Sequence, residues 1–159
     1  MGNKRAKKEE KMDLQELKTT IESENFADLL EEMDSVFLEI DKIAEDLSGG
    51  LLSDVNICID YLSRLTGYYM YLNPILSELR SYKKNKELRE YHSLKMQIEN
   101  EGKKFVSAPV EKEASLAVAE VRRIKNVVEG YVEACKTAIS SCQSIIKYFA
   151  EERKMGSIE

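Results

Sequence analysis

Apolar residues recur along this chain at alternating steps of four and three, the spacing that lines one face of an α-helix. Asp13, with Glu16 three residues on, forms a capping-box signature, and Leu14, Leu17 and Ile21 begin the stripe behind it. The stripe slips at Glu24-Asn25. It resumes at Phe26, Leu30, Met33, Phe37, Ile40, Ala44 and Leu47, and Ser48-Gly49-Gly50 stops it, since glycine accepts a left-handed cap. The pattern predicts one amphipathic helix over 13–47, preceded by a mobile basic tail over 1–12.

A second stretch keeps the spacing through Val55, Cys58, Leu62, Leu65, Tyr69, Leu72, Leu76 and Leu79. Pro74 interrupts the backbone bonding but not the phase, which predicts a kink; the competing reading is a new helix capped by Asn73. The stripe fails at Lys83-Lys84-Asn85-Lys86 and returns in another phase at Leu88, Tyr91, Leu94 and Ile98. Ser107-Ala108-Pro109 marks a stop and restart, with Ser107 or Ala108 as cap. From there Val110, Ala114, Ala117, Val121, Ile124, Val128, Tyr131, Cys135, Ala138, Cys142, Ile145 and Phe149 predict one helix from Pro109 to about Arg153, roughly 65 Å long. Val118, Val127, Val132, Ile139 and Ile146 widen its apolar face beyond what one neighbour covers. The expectation is a homo-oligomer with Tyr131, Ile139, Cys142, Ile145, Ile146 and Phe149 at the subunit contact. The fold class is all-α: an elongated, antiparallel, coiled-coil-like hairpin or bundle, with residues 51–159 forming a long hairpin that turns near 105–109.

Composition sharpens this picture. Two prolines and seven glycines in 159 residues leave room for long helices, and the 33% of charged residues suits wide solvated faces. No run of 18 apolar residues occurs, so no membrane span is expected. The opening residues lack the apolar core of a secretory signal, and Ala6 stands where a myristoylation motif has Ser or Thr. Cys58, Cys135 and Cys142 all fall at apolar helical positions. Cys135 and Cys142 are two turns apart, about 10 Å, too far for a bridge within one helix, so buried reduced thiols and a cytoplasmic setting are expected.

The net charge of −5 conceals an asymmetry. Fourteen acidic residues between Asp13 and Asp60 face only Lys18 and Lys42, whereas Arg80, Lys83, Lys84, Lys86, Arg89, Lys95, Lys103 and Lys104 dominate the stretch from 80 to 104. Lys112, Arg122, Arg123 and Lys125 add to it from the next helix. Two readings stand. One is a phosphate-binding surface with Tyr82 and Tyr91 available for stacking. The other is an ordinary solvated face with i,i+4 pairs such as Glu99/Lys103, covered in cis or in trans by the acidic helix. Tyr61, Tyr68, Tyr69, Tyr71 and Tyr82 read as a thick helix interface before they read as a binding groove.

Catalytic signals are missing. His92 is the only histidine and lies outside any cysteine or carboxylate cluster, and neither a phosphate-binding loop nor a dinucleotide fingerprint occurs. The expectation is a protein that binds and assembles, with no catalytic residues, metal or cofactor.

The closing segment, Val127-Val128-Glu129-Gly130-Tyr131-Val132-Glu133-Ala134-Cys135-Lys136 through Ile139-Ser140-Ser141-Cys142-Gln143-Ser144-Ile145-Ile146-Lys147-Tyr148-Phe149-Ala150-Glu151-Glu152-Arg153, resembles the tail of UvsY-like recombination mediators of tailed phages. The order before it, a long helix with a basic, tyrosine-containing stretch from Arg80 to Lys104 and then a short break, is similar too, over about residues 61–153. The resemblance implies a small helical protein that forms a ring-like homo-oligomer and binds single-stranded DNA. It would help load a RecA-type recombinase while displacing the single-strand-binding protein, in the host cytoplasm if phage-encoded. On that analogy Lys83, Lys84, Lys86, Arg89 and Lys95 would meet DNA, supported by Arg122 and Arg123, and the tail from Ile139 to Phe149 would join subunits. The long acidic first helix departs from the family pattern. The alternative from the residues alone is a structural coiled-coil component of a phage or bacterial assembly that touches no nucleic acid.

Overall fold

The computed structural model describes residues 12–50 and 54–156. Five helices and no strand occur among them: α1 (Leu14–Glu22), α2 (Phe26–Ser48), α3 (Val55–Asn100), α4 (Ser107–Ala117) and α5 (Ala119–Met155). None is long and apolar enough to cross a membrane. The predicted tail lies outside the described residues except for Met12, which packs against the core and donates its N–H to Glu32 at 3.0 Å.

The predicted capping box forms. The Asp13 carboxylate accepts from the N–H groups of Gln15 and Glu16, both at 2.8 Å, and the Glu16 carboxylate accepts from Asp13 N–H at 3.1 Å. The single helix expected over 13–47 is, however, two. Glu24 takes a left-handed φ of 57°, so the slip in the stripe is a sharp elbow, and α1 folds back along α2. Gly50 takes the left-handed conformation foreseen after Ser48.

α3 runs unbroken through Pro74, which settles the choice at Asn73-Pro74 against a fresh helix. About 69 Å long at 1.5 Å per residue, it forms the spine of the molecule. It ends in a left-handed Gly102, with Lys103 N–H bonded to the Ile98 carbonyl at 3.1 Å. α5 returns antiparallel to it, in a register set by Arg80 with Glu129 and Arg122 with Glu87. The last helix was expected to be continuous from Pro109. Instead α4 starts at Ser107, capped by Val106 without a side-chain bond, and the chain breaks helix at Val118 (φ −106°, ψ 15°) before α5 begins. Val118 itself is fully buried. Arg122 reaches back across the break to donate to the Ser115 carbonyl at 3.0 Å.

α2 lies in the groove between α3 and α5, and its inward face matches the predicted one only in part. Phe26, Met33, Phe37 and Ile40 are buried as predicted and Leu29, Val36 and Ile43 join them, while Leu30 and Leu47 are half-buried and Ala44 is exposed. α2 therefore presents a face wider than the four-three count and shifted toward Leu29, Val36 and Ile43, because it must fill the groove between two helices at once. The same packing accounts for part of the width of the α5 face. Cys142 and Val132 are completely buried, and Tyr131 stacks on Phe37 of α2 with ring centroids 4.0 Å apart. Of the six residues assigned to a subunit contact, Cys142, Tyr131 and Ile139 are thus engaged within the chain. Ile139, Ile145, Ile146 and Phe149 are half-buried. α2 covers part of the breadth that suggested a second subunit, and Val127 of that face stays exposed.

The fully buried face of α3 ends at Leu79, while Val110, Ala114, Val118, Val121 and Ile124 carry the apolar core on from the α4 and α5 side. Beyond Leu79 the inward positions of α3 pass to Lys83, Lys86 and Glu87, which is the structural form of the lapse in the stripe.

Candidate nucleic-acid interface

Just past Leu79 the rod has a basic waist built from α3 between Arg80 and Arg89 and from α5 between Arg122 and Lys125. Its half-buried cations, Lys83, Lys86, Arg122 and Lys125, are all paired, as partial burial favours. Lys83 bonds Glu87 one turn on at 2.9 Å, an i,i+4 pair of the kind the sequence allowed. Arg122 lies 3.8 Å from the same Glu87 and spends its hydrogen bonds on Ser115. Lys95 stands 3.8 Å from Glu99 and 5.5 Å above the centre of the Phe105 ring. Arg80 and Lys125 converge on Glu129. Their two hydrogen bonds, that of Lys125 foremost, hold the Glu129 carboxyl down to about 2.

Lys86 is paired across the fold. Its ammonium bonds Glu24 at the elbow of α1 and α2, and the hydroxyl of Tyr82 donates to the same carboxylate at 2.9 Å. Those bonds, with Lys86 leading, hold Glu24 below the usual carboxylate range. Burial, aided by Glu24, pushes the Tyr82 phenol up to about 12. The elbow thus rests on the basic waist, and Tyr82 is a hydrogen-bond donor within the fold.

Similar bonds run down the rest of α2. Arg64 pairs with Glu39, Tyr61 donates to Asp46, and Tyr131 donates to Asp41 at 2.9 Å. The tyrosines and cations of α3 and α5 hold the acidic helix in place. That is the interface reading of the tyrosines.

Three of the seven predicted contact residues, Lys84, Arg89 and Arg123, make no ion pair among the described residues, and all three are exposed. Lys84 lines a hollow of about 360 Å³ with Glu87, Leu88, Tyr91, Glu111 and Ala114. Arg89 lines an open concavity of about 900 Å³ with Glu22, Tyr82, Asn85, Leu88 and His92. Lys84 and Arg89 are five residues apart on one helix, about 8 Å of rise, and the register of α3 with α5 puts Arg123 at the same level. His92 is exposed beside Tyr91.

No known protein family, characterised protein or solved structure matches this chain. The site has therefore to be judged on its chemistry. Among the described residues no group of His, Cys, Asp or Glu converges to hold a metal ion. What the waist offers is positive charge beside half-buried aromatic rings. Two residues that shape it went unrecognised in the sequence: Glu24 and Glu129. Each is an unremarkable glutamate until a cation remote in sequence is folded onto it.

Proposed function

We propose that this chain is a non-enzymatic single-stranded-DNA-binding protein of DNA recombination, a mediator that helps load a RecA-type recombinase. The observation that carries the reading is the set of exposed cations without an ion pair among the described residues, Lys84, Arg89 and Arg123, at one level of the rod, Lys84 sharing a hollow with Tyr91 and Arg89 a concavity with Tyr82. Support comes also from the resemblance to UvsY-like mediators over about residues 61–153. Exposed cations that are not neutralised internally gain most from a phosphate backbone, because binding releases the backbone's condensed counterions. Aromatic side chains nearby add sequence-tolerant stacking. Lys83, Lys86, Lys95 and Arg122 are support for the fold first, and each meets DNA only if it gives up an existing partner.

A second reading has its own observation. The pairing of those four cations is what a structural coiled-coil part would show. Binding of a labelled single-stranded oligonucleotide at low salt separates the two. The mediator reading expects wild type to bind, the combined change Lys84→Glu, Arg89→Glu, Arg123→Glu to lose binding, and Lys147→Glu, far from the waist, to retain it. Wild-type protein that ignores the oligonucleotide rejects the mediator reading in favour of the structural one.

A further inference from the structure

The elbow between α1 and α2 is closed by its own backbone. Glu24 N–H bonds the Ile21 carbonyl and Asn25 N–H bonds the Thr20 carbonyl, both at 3.1 Å. In a helix terminus of this kind the left-handed residue is usually glycine, because a Cβ is strained there. Here it is Glu24, at φ 57°. Glycine could not supply what this side chain supplies. The Glu24 carboxylate crosses to α3, where Lys86 bonds it and the Tyr82 hydroxyl donates to it at 2.9 Å. The strained position is occupied by the one residue whose carboxylate fills that cradle.

The cradle opens into a hollow of about 490 Å³, lined among others by Glu22, Glu24, Tyr82, Lys86, Arg89 and Glu90. With the elbow in place, three carboxylates face two cations. Glu22 and Glu24 both belong to the arm that ends in the elbow. Once that arm is off α3, Lys86 and Arg89 face Glu90 alone, and the hollow changes sign. The arm is also the lightly anchored part of the fold. α1 buries only Leu17 and Ile21, whereas α2 buries seven residues, so α1 is the segment that opens at least cost.

From this we infer that Tyr82, Lys86 and Arg89 form an oxyanion site, closed in cis by the Glu24 carboxylate, which a phosphate of the DNA strand enters when the elbow leaves α3. The inference rests on the mediator reading and adds regulation to it. A carboxylate and a phosphate diester both offer anionic oxygens to the same ammonium and hydroxyl donors, so Glu24 marks the place where a phosphate fits. The elbow competes locally. A strand already held at Lys84 and Arg123 brings its next phosphates to the cradle at high effective concentration, whereas a free small anion has no such help. The elbow therefore admits a polymer and turns away lone anions.

Binding of a labelled single-stranded oligonucleotide to the full chain at low salt tests this. Glu24→Gly suits the left-handed backbone and removes only the carboxylate, so it should keep the helicity of wild type and bind about two- to fivefold tighter, the scale of an exposed ion pair. Adding Lys86→Gln should cancel the gain. Glu45→Gln, which makes the same change in net charge at an exposed position near the far end of α2, should bind as wild type. Hydrogen exchange gives a second readout on the unaltered protein: the Glu24 and Asn25 amides, bonded in the closed elbow, should exchange faster once the oligonucleotide is bound. Binding that leaves these amides protected overturns the inference while the mediator reading stands. So does a Glu24→Gly protein that binds no tighter than wild type, or an equal gain from Glu45→Gln. Absence of binding by every variant rejects the mediator reading itself, and the oxyanion site with it.

Discussion

Adjacent leucines on α2 give the sharpest test of how the helices are packed. Leu29 has no exposed surface, whereas Leu30, the residue that the four-three count places in the seam, is only half-buried. Leu29→Ala removes a side chain from the groove between α3 and α5, and neighbours that are themselves packed relax only partly. The cost is about 2–5 kcal/mol, against about 1 kcal/mol for Leu30→Ala, whose side chain already meets water. A domain of this size is typically stable by about 5–15 kcal/mol, so Leu29→Ala removes a large share. At about 2–4 °C per kcal/mol its melting temperature falls by about 5–15 °C. Urea unfolding followed by helical circular dichroism gives both numbers from midpoints at constant slope. If Leu30→Ala proves as costly as Leu29→Ala, α2 is turned the other way and its bonds to α3 and α5 are wrong as well.

Other consequences follow from the polar contacts and the thiols. Glu24→Gln weakens the hold of the elbow on Lys86 and should strengthen oligonucleotide binding by a few fold, the scale of an exposed ion pair; an unchanged affinity would mean that the elbow does not compete with DNA. Glu129 is held down to about 2 when folded, so its contribution is complete above the ordinary carboxylate range and lost as pH falls toward 2. Glu129→Gln should therefore be less stable than wild type at pH 7, with the gap closing between about pH 4.5 and 2 in denaturant titrations; a gap that persists at pH 2 would assign the loss to packing. Cys58, Cys135 and Cys142 are fully buried, and burial pushes the Cys135 thiol up to about 11. A colourimetric thiol reagent should count none of them in the native protein and three in denaturant, and rapid native labelling would show that the α3–α5 seam opens.

The all-α class, the antiparallel hairpin and the capping box at Asp13 were legible because each depends on residues a few positions apart. Leu29 was missed because two adjacent leucines satisfy the periodicity almost equally, and only the position of the partner helices selects one. The break at Val118 carries no glycine or proline to announce it; it is visible in the Arg122 side chain that spans it. The elbow at Glu24 left a trace as a slip in the stripe, but not its φ of 57°. Charge was harder still. Lys83 with Glu87 is a one-turn pair that the sequence contains outright, whereas Lys86 with Glu24 joins residues 62 apart. A list of basic residues could therefore not separate the neutralised cations from Lys84, Arg89 and Arg123.

The central claim is that these three exposed cations bind single-stranded DNA through its phosphates, and the salt dependence of that binding tests it most directly. Fluorescence anisotropy of a labelled oligonucleotide, titrated at several salt concentrations, gives the slope of log affinity against log salt. Three phosphate contacts per chain at about 0.7 counterions each predict a slope of about −2, with little dependence on base sequence. Glu24→Gln, by freeing Lys86, should steepen it toward about −3. A slope near zero, or no binding at the lowest salt, would contradict the account.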